Sequence, residues 1–335
     1  MRSRLASYAI RRFFLYLLIF FISLTVFFFF LNLVPGDPVT RYVQELEARY
    51  GLTTPISEEI IREYKEAFGL DKDLFGRYTS YLKRLIFEFD FGPSFVAFPT
   101  PVSELIIDAL PWSIGLLGVS IIISWVLGIL FGTILGWRRE SKVASFSLVL
   151  GLILSQIPPY LLALVLVMVF SFALGIFPMG GAYSPLIEQG FNLRYIIDLI
   201  YHAFLPAMSL ILVYTFGTMI SQRALVINIL GEDYIKLAEA KGLENNRIIK
   251  RYILRNTLLP QTTGLALSLG FIVNGFFLIE WIFNYPGIGR LFMTAIRQMD
   301  YNVLMGITVI TMFGVLAANF IIELLYPLID PRIRR

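Results

Sequence analysis

The sequence predicts an all-α polytopic membrane protein with six transmembrane helices and a small polar domain between the first and the second. Apolar residues make up 57% of the 335 positions and charged residues only 16%, whereas soluble domains carry about 25% charged residues. Six apolar stretches approach or exceed the ~20 residues that a helix needs to cross a ~30 Å hydrocarbon core. Lys and Arg gather in alternate connections between those stretches, as they do in cytoplasmic loops.

The first stretch, 13–34, has 22 residues, of which 18 are Phe, Leu, Ile or Val. At ~1.5 Å per residue it spans roughly 33 Å. Its side chains favour insertion by roughly 5 to 10 kcal/mol. Arg2, Arg4, Arg11 and Arg12 precede it and hold the N-terminus in the cytoplasm. It ends in Leu33-Val-Pro-Gly-Asp-Pro38 and not in a small-x-small cleavage site, so it reads as an uncleaved anchor.

Residues 35–108 carry 13 acidic and 8 basic side chains, a composition that belongs outside the bilayer. Helical patterns appear at 57–68, where Ser57 reads as an N-cap, and at 75–87. Five more apolar stretches follow near 112–137, 146–177, 204–221, 258–283 and 304–326. In the third stretch, Pro158 and Pro159 remove two backbone donors and should bend or break the helix at a point facing the protein interior.

Orientation follows from the short connections. Segments 1–12, 137–145, 223–257 and 327–335 hold 17 Lys and Arg, against 3 in 178–203 and 284–303. Both termini are therefore expected in the cytoplasm, which requires an even number of spans. The implied organisation is 1–34 as N-terminus and first helix, 35–108 as an extracytoplasmic domain, and 109–335 as a membrane core with a cytoplasmic segment at 223–257.

Several chemistries are excluded. The chain has no Cys and one His, His202, so thiolate sites and histidine-cluster metal sites cannot form, and His202 reads as an ordinary interfacial side chain. No Gly-Lys dipeptide occurs, so a GxxxxGK[ST] phosphate loop is impossible. The net charge of +4 is what cytoplasmic loops of a membrane protein contribute, and nucleic acid is not indicated. Gln156, Asn274, Glu280, Asn319 and Glu323 lie in or near apolar runs. Helix-to-helix hydrogen bonding accounts for them without a proton or ion pathway. For Asn284-Tyr-Pro-Gly-Ile-Gly289 an outer gate and a plain tight turn are both open readings.

The segment 223–257 is not composed like a flexible linker. It predicts a short helix with Glu232 and Asp233 at its positive end and with Lys241 and Gly242 as its C-cap. Ala238 and Ala240 would let a partner surface approach the backbone. A second helical stretch, 245–256, places Ile248, Ile249, Tyr252 and Ile253 on one face and should lie along the membrane surface until Pro260 opens the fifth span.

Asp233-Tyr-Ile-Lys-Leu-Ala-Glu-Ala-Lys-Gly242 followed by Leu254-Arg-Asn-Thr-Leu-Leu-Pro260 resembles the coupling motif of binding-protein-dependent ABC importer permeases, in the longer-spaced form of the dipeptide and oligopeptide branch. The stretches 33–38, Asp90-Phe-Gly-Pro-Ser94, Glu280-Trp-Ile-Phe-Asn-Tyr-Pro-Gly-Ile-Gly289 and Leu328-Ile-Asp-Pro-Arg332 resemble the same branch, so the likeness covers the chain from residue 10 onward. It implies six helices of the type I ABC importer kind. It also implies a second, homologous permease, two ATP-binding subunits docking from the cytoplasm, and an extracytoplasmic solute-binding protein. The chain itself would hold no cofactor, since ATP and Mg would be bound by the partner subunits, and it would not be an enzyme. Contact with the ATPase would fall to Glu232, Asp233, Tyr234, Ala238, Glu239, Ala240, Lys241 and Gly242. Oligopeptides or dipeptides are the implied cargo, with oligosaccharides or nickel as alternatives. An ion-coupled transporter or channel would show paired intramembrane charges or a repeat of broken helices. An intramembrane enzyme would show a nucleophile with a base or a metal. Neither pattern is present.

Overall fold

The computed structural model describes residues 2–33, 39, 62, 65, 66, 68, 71–95, 97–270 and 277–329, and their regular structure is helical. Four helices are long and apolar enough to cross a membrane, within Tyr8–Leu33, Val102–Trp137, Leu193–Leu230 and Tyr301–Ile321. A bent pair, Lys142–Leu154 with Pro159–Ala173, makes a fifth if it is one span. The stretch 258–283 is described only on either side of 271–276, and the helix expected at 57–68 lies outside the described residues apart from isolated positions. Two compact units divide the chain, 1–112 with 287–335 and 113–286.

In the first unit, α1 (Arg2–Leu33) packs along α12 (Tyr301–Ile329). Arg12 reaches Glu323 at 3.1 Å, and Phe320 meets the rings of Phe13 and Tyr16 edge-on. Glu323 is thus a helix-to-helix partner. Phe28 and Phe29 further along α1 pack on Tyr78 of α2 (Leu74–Lys83), which continues as a π turn, Arg84–Glu88. The helix expected at 75–87 is therefore present. A further helix, α11 (Ile288–Gln298), also packs on α12.

The Asp90-Phe-Gly-Pro-Ser94 stretch is a docking loop for the start of α12. Ser94 Oγ donates to Asp300 Oδ2 at 2.6 Å, Asp300 Oδ1 accepts from the Val303 amide at 3.1 Å, and Asn302 Nδ2 donates to the Pro93 carbonyl at 2.9 Å. Ser94 and Asp300 are both fully buried. One carboxylate therefore serves the loop and caps the helix.

The second unit takes α3 (Val102–Trp137) from Ser113 onward, followed by α4 (Lys142–Leu154), α5 (Pro159–Leu166, extended by the π segment Val167–Ala173), α6 (Leu193–Leu230) and the segments after it. Ser141 caps α4 by accepting from the Ala144 amide, and Asn192 caps α6 by accepting from the Tyr195 amide. Pro158 and Pro159 do break the third apolar stretch, with a bend of 94°. They do not face the interior of this chain, however, since Pro158 is exposed and Pro159 half-buried. Burial is unnecessary because Pro159 opens α5, where a missing N–H costs nothing. The Pro158 carbonyl accepts from Leu161, and turn bonds satisfy Ser155 through Ile157.

Helices α3 and α6 cross at glycines. A Cβ on Gly128 would stand 2.5 Å from Thr218 Cβ, one on Gly132 2.6 Å from both Gln222 Cβ and the Met219 carbonyl, and one on Gly136 2.7 Å from Val226 Cβ. The four-residue spacing puts these glycines on one face, so the two backbones approach to a distance no larger residue permits. Beside them, Leu117, Ile121, Ala163, Leu205, Leu210, Ile279 and Phe283 form an apolar core that joins α3, α5, α6 and α10 (Phe277–Ile282). Glu280 is completely buried and accepts from Ser113 Oγ at 2.6 Å, again a helix-to-helix bond. After α10 the chain turns at Phe283 and Asn284, with the Tyr285 amide on the Glu280 carbonyl at 2.7 Å. His202 is buried, with Nδ1 2.9 Å from the Asp198 carbonyl, an internally satisfied side chain.

Candidate coupling site

At the end of α6, Gly231 and Glu232 turn the chain through amide bonds to Asn228 and Ile229, and α7 (Asp233–Ala240) begins at once. Glu232 is the N-cap residue with extended backbone, but its side chain makes no capping bond. Its contribution is the charge it places beside the helix's positive end. Asp233 pairs with Lys236 at 2.9 Å. That bond lowers the Asp233 pKa and raises that of Lys236, on a surface open to water.

The far end is closed by a Schellman motif. The Leu243 amide donates to the Ala238 carbonyl at 3.2 Å and the Gly242 amide to the Glu239 carbonyl at 2.8 Å, with Gly242 at φ +69°. A Cβ at Gly242 would meet nothing within 4 Å. Glycine is therefore needed there for its backbone conformation and not for space.

The inner face of α7 is clamped. Ile235 (1% exposed) and Ala238 (4%) are buried with Val226 of α6, and with Ile248 and Ile253 from α8 (Asn245–Ile248) and the π segment Ile249–Ile253 that follows it. Trp137 at the end of α3 and Leu243 border this cluster. Fully burying an isoleucine such as Ile235 stabilises by about 1.5–3 kcal/mol. On the opposite side Tyr234, Leu237, Glu239, Ala240, Lys241 and Gly242 are exposed, together with Glu232 and Asp233. Seven of the eight residues expected at a partner contact therefore face outward, and Ala238 does not. Its small side chain lets α7 sit close on α6, which leaves Ala240 as the small residue on the open face.

The stretch 245–256 places Ile248, Ile249, Tyr252 and Ile253 together as expected, but that face packs on α6 and α7. Pro260 does not start the following helix. It lies within α9 (Leu254–Gly270), which runs on directly from the π segment.

One polar node escaped sequence reasoning. Gln222 is fully buried, and its Nε2 donates at 2.9 Å to both Thr133 Oγ1 of α3 and Thr257 Oγ1 of α9. It lies against Gly132 at the helix crossing and ties together the three helices whose ends meet beneath α7. The available signal was the Gly128-xxx-Gly132-xxx-Gly136 spacing in an apolar run, which marks a close helix crossing.

A family model described as "Binding-protein-dependent transport system inner membrane component" matches residues 128–335. The chain is 35% identical over 332 residues to the oligopeptide transport system permease protein AppB of Bacillus subtilis, covering 98% of this chain and 99% of that one. It is 34% identical to the oligopeptide permease protein OppB of Haemophilus influenzae, with 94% of each chain covered. To the dipeptide permease protein DppB of Bacillus subtilis it is 30% identical over 98% of each.

Proposed function

We propose that this chain, which belongs to the family of binding-protein-dependent transport system inner membrane components, is the permease of an ATP-driven importer of oligopeptides or dipeptides. It would supply half of the translocation pathway and take its motion from a separate ATPase. The observation that carries this reading is the build of α7, a capped helix with one face locked to α6 and α8 and the other open. A flexible loop would absorb a push from a docked subunit. A packed helix passes it to the rods it rests on, as a rigid-body displacement. The route runs through the Val226 cluster into α6, through Trp137 into α3 and through Thr257 and Gln222 into α9.

The chain is an integral membrane protein. In the proposed assembly it crosses the cell membrane six times, with both termini and α7 in the cytoplasm, as the 17-to-3 split of Lys and Arg favours. Residues 35–108 then lie outside, where a solute-binding protein docks. A second permease completes the pathway, and two ATP-binding subunits hold ATP and Mg. Peptides are favoured over oligosaccharides because the relatives that match nearly end to end are named as peptide permeases. The test is uptake of radiolabelled peptide into liposomes holding the whole complex. Uptake should require ATP, and solute entering at the same rate without nucleotide would refute the importer reading.

A further inference from the structure

Helices α3, α6 and α9 enclose a cleft of about 490 Å³ within the second unit, a size in the ~300–1,000 Å³ range of small-molecule sites. Its chemistry separates it from the rest of the apolar surface. The open face of α4 presents Phe146, Val149 and Ile153, as a surface against lipid should. Ile121, Tyr214 and Leu265 make much of its wall apolar too, but unlike those three α4 residues it also carries hydroxyl and amide groups, with Ser124 and Trp125 from α3, Thr218 and Ser221 from α6, and Gln261 and Ser268 from α9. The spacings of three on α6 and seven on α9 put each of those pairs on one face, and the adjacent Ser124 and Trp125 of α3 border the same volume. Ser124 Oγ and Ser268 Oγ donate back to their own helix carbonyls, at 2.6 and 2.9 Å; Ser124 is buried, and Ser268 is exposed and keeps its lone pairs as acceptors. Gln261 Nε2 donates to Ser221 Oγ at 3.1 Å, and Trp125 Nε1 to the Gln261 carbonyl at 3.0 Å, which fixes the wall between α3 and α9.

Among the described residues, none that lines the cleft is ionised at neutral pH. An ammonium or carboxylate taken up there would lose water without meeting a counter-charge, at a cost of several kcal/mol per ion. Groups that hydrogen-bond without charge meet no such barrier.

Resting on the peptide-importer reading, we propose that this cleft is a solute subsite that takes the uncharged main chain of a peptide in transit. The exposed hydroxyls of Ser221 and Ser268 replace the water around its amides, with Gln261 holding Ser221 in place, while its ionised ends lie elsewhere.

The natural chain has no cysteine, so one introduced thiol is a clean reporter. Ser268→Cys and Ser221→Cys change exposed positions and one atom each. Phe146→Cys on α4 is the control. Each variant is assembled with its full complex in liposomes, and its modification by a small methanethiosulfonate is followed by mass spectrometry of this chain during ATP-driven turnover, with and without tetra-alanine. Both cleft thiols should react, and saturating tetra-alanine should slow their modification severalfold. The α4 thiol should show no protection. Absence of tetra-alanine uptake by the natural chain would overturn the peptide reading and this subsite with it. Uptake without protection, or crosslinking of the cleft thiols to the second permease throughout the cycle, would overturn the subsite alone. Protection by cellotetraose in place of tetra-alanine would overturn the assignment to peptide.

Discussion

Replacing Gly242 with valine tests whether α7 works as a stiff lever. The residue stands at φ +69°, and an added Cβ would touch nothing within 4 Å. The cost at the Cβ is therefore that of a left-handed backbone, roughly 1–2 kcal/mol for an L-residue and toward the upper end for a β-branched one. If the chain escapes that strain by leaving the conformation, it gives up the bonds from Leu243 to Ala238 and from Gly242 to Glu239, each worth about 0.5–1.5 kcal/mol. Either way the capped state loses on the order of 2 kcal/mol, close to a thirtyfold change in its population relative to a frayed one. The rest of the second unit is untouched, so the protein should still insert and assemble. The assay is peptide taken up per ATP hydrolysed by the reconstituted complex. Gly242→Val should lower that ratio severalfold or more while hydrolysis persists, and Gly242→Asn, which tolerates a left-handed backbone, should fall between valine and glycine. Natural transport per ATP in the valine variant would refute the lever.

Two further outcomes follow from the packing. Gly132→Val should destabilise the second unit by about 1–3 kcal/mol or more, because its Cβ meets the Met219 backbone carbonyl at 2.6 Å, which cannot rotate away. Gly115→Ala, which meets nothing within 4 Å, should be tolerated, and thermal unfolding in detergent followed by Trp fluorescence separates the two. Asp300→Ala removes both the cap of α12 and the acceptor of buried Ser94. It should cost about 0.5–2 kcal/mol for the cap plus about 1.5–3 for the lost hydrogen bond to a charged acceptor, and limited proteolysis should then cut at 90–101.

Composition, run length and the asymmetry of Lys and Arg determined that this is a helical membrane protein, because lipid leaves few alternatives for backbone hydrogen bonding and those constraints are local in sequence. The cap of α7 was legible for the same reason: Asp233, Lys241 and Gly242 act on bonds within a turn or two of themselves. The break at Pro158 and Pro159 was legible too, but not which way the prolines face, since that depends on neighbours and on how far the turn satisfies its own carbonyls. Tertiary structure alone decided that Ala238 looks inward while Ala240 looks out, and that the helix runs through Pro260. It also decided that Gln222 binds Thr133 and Thr257 across 89 and 35 positions of chain, and that polar side chains from three helices meet in one cleft. Helical spacing places residues on a face. What that face meets is set by how distant helices close on one another, and here three glycines on α3 fix how near α6 can come.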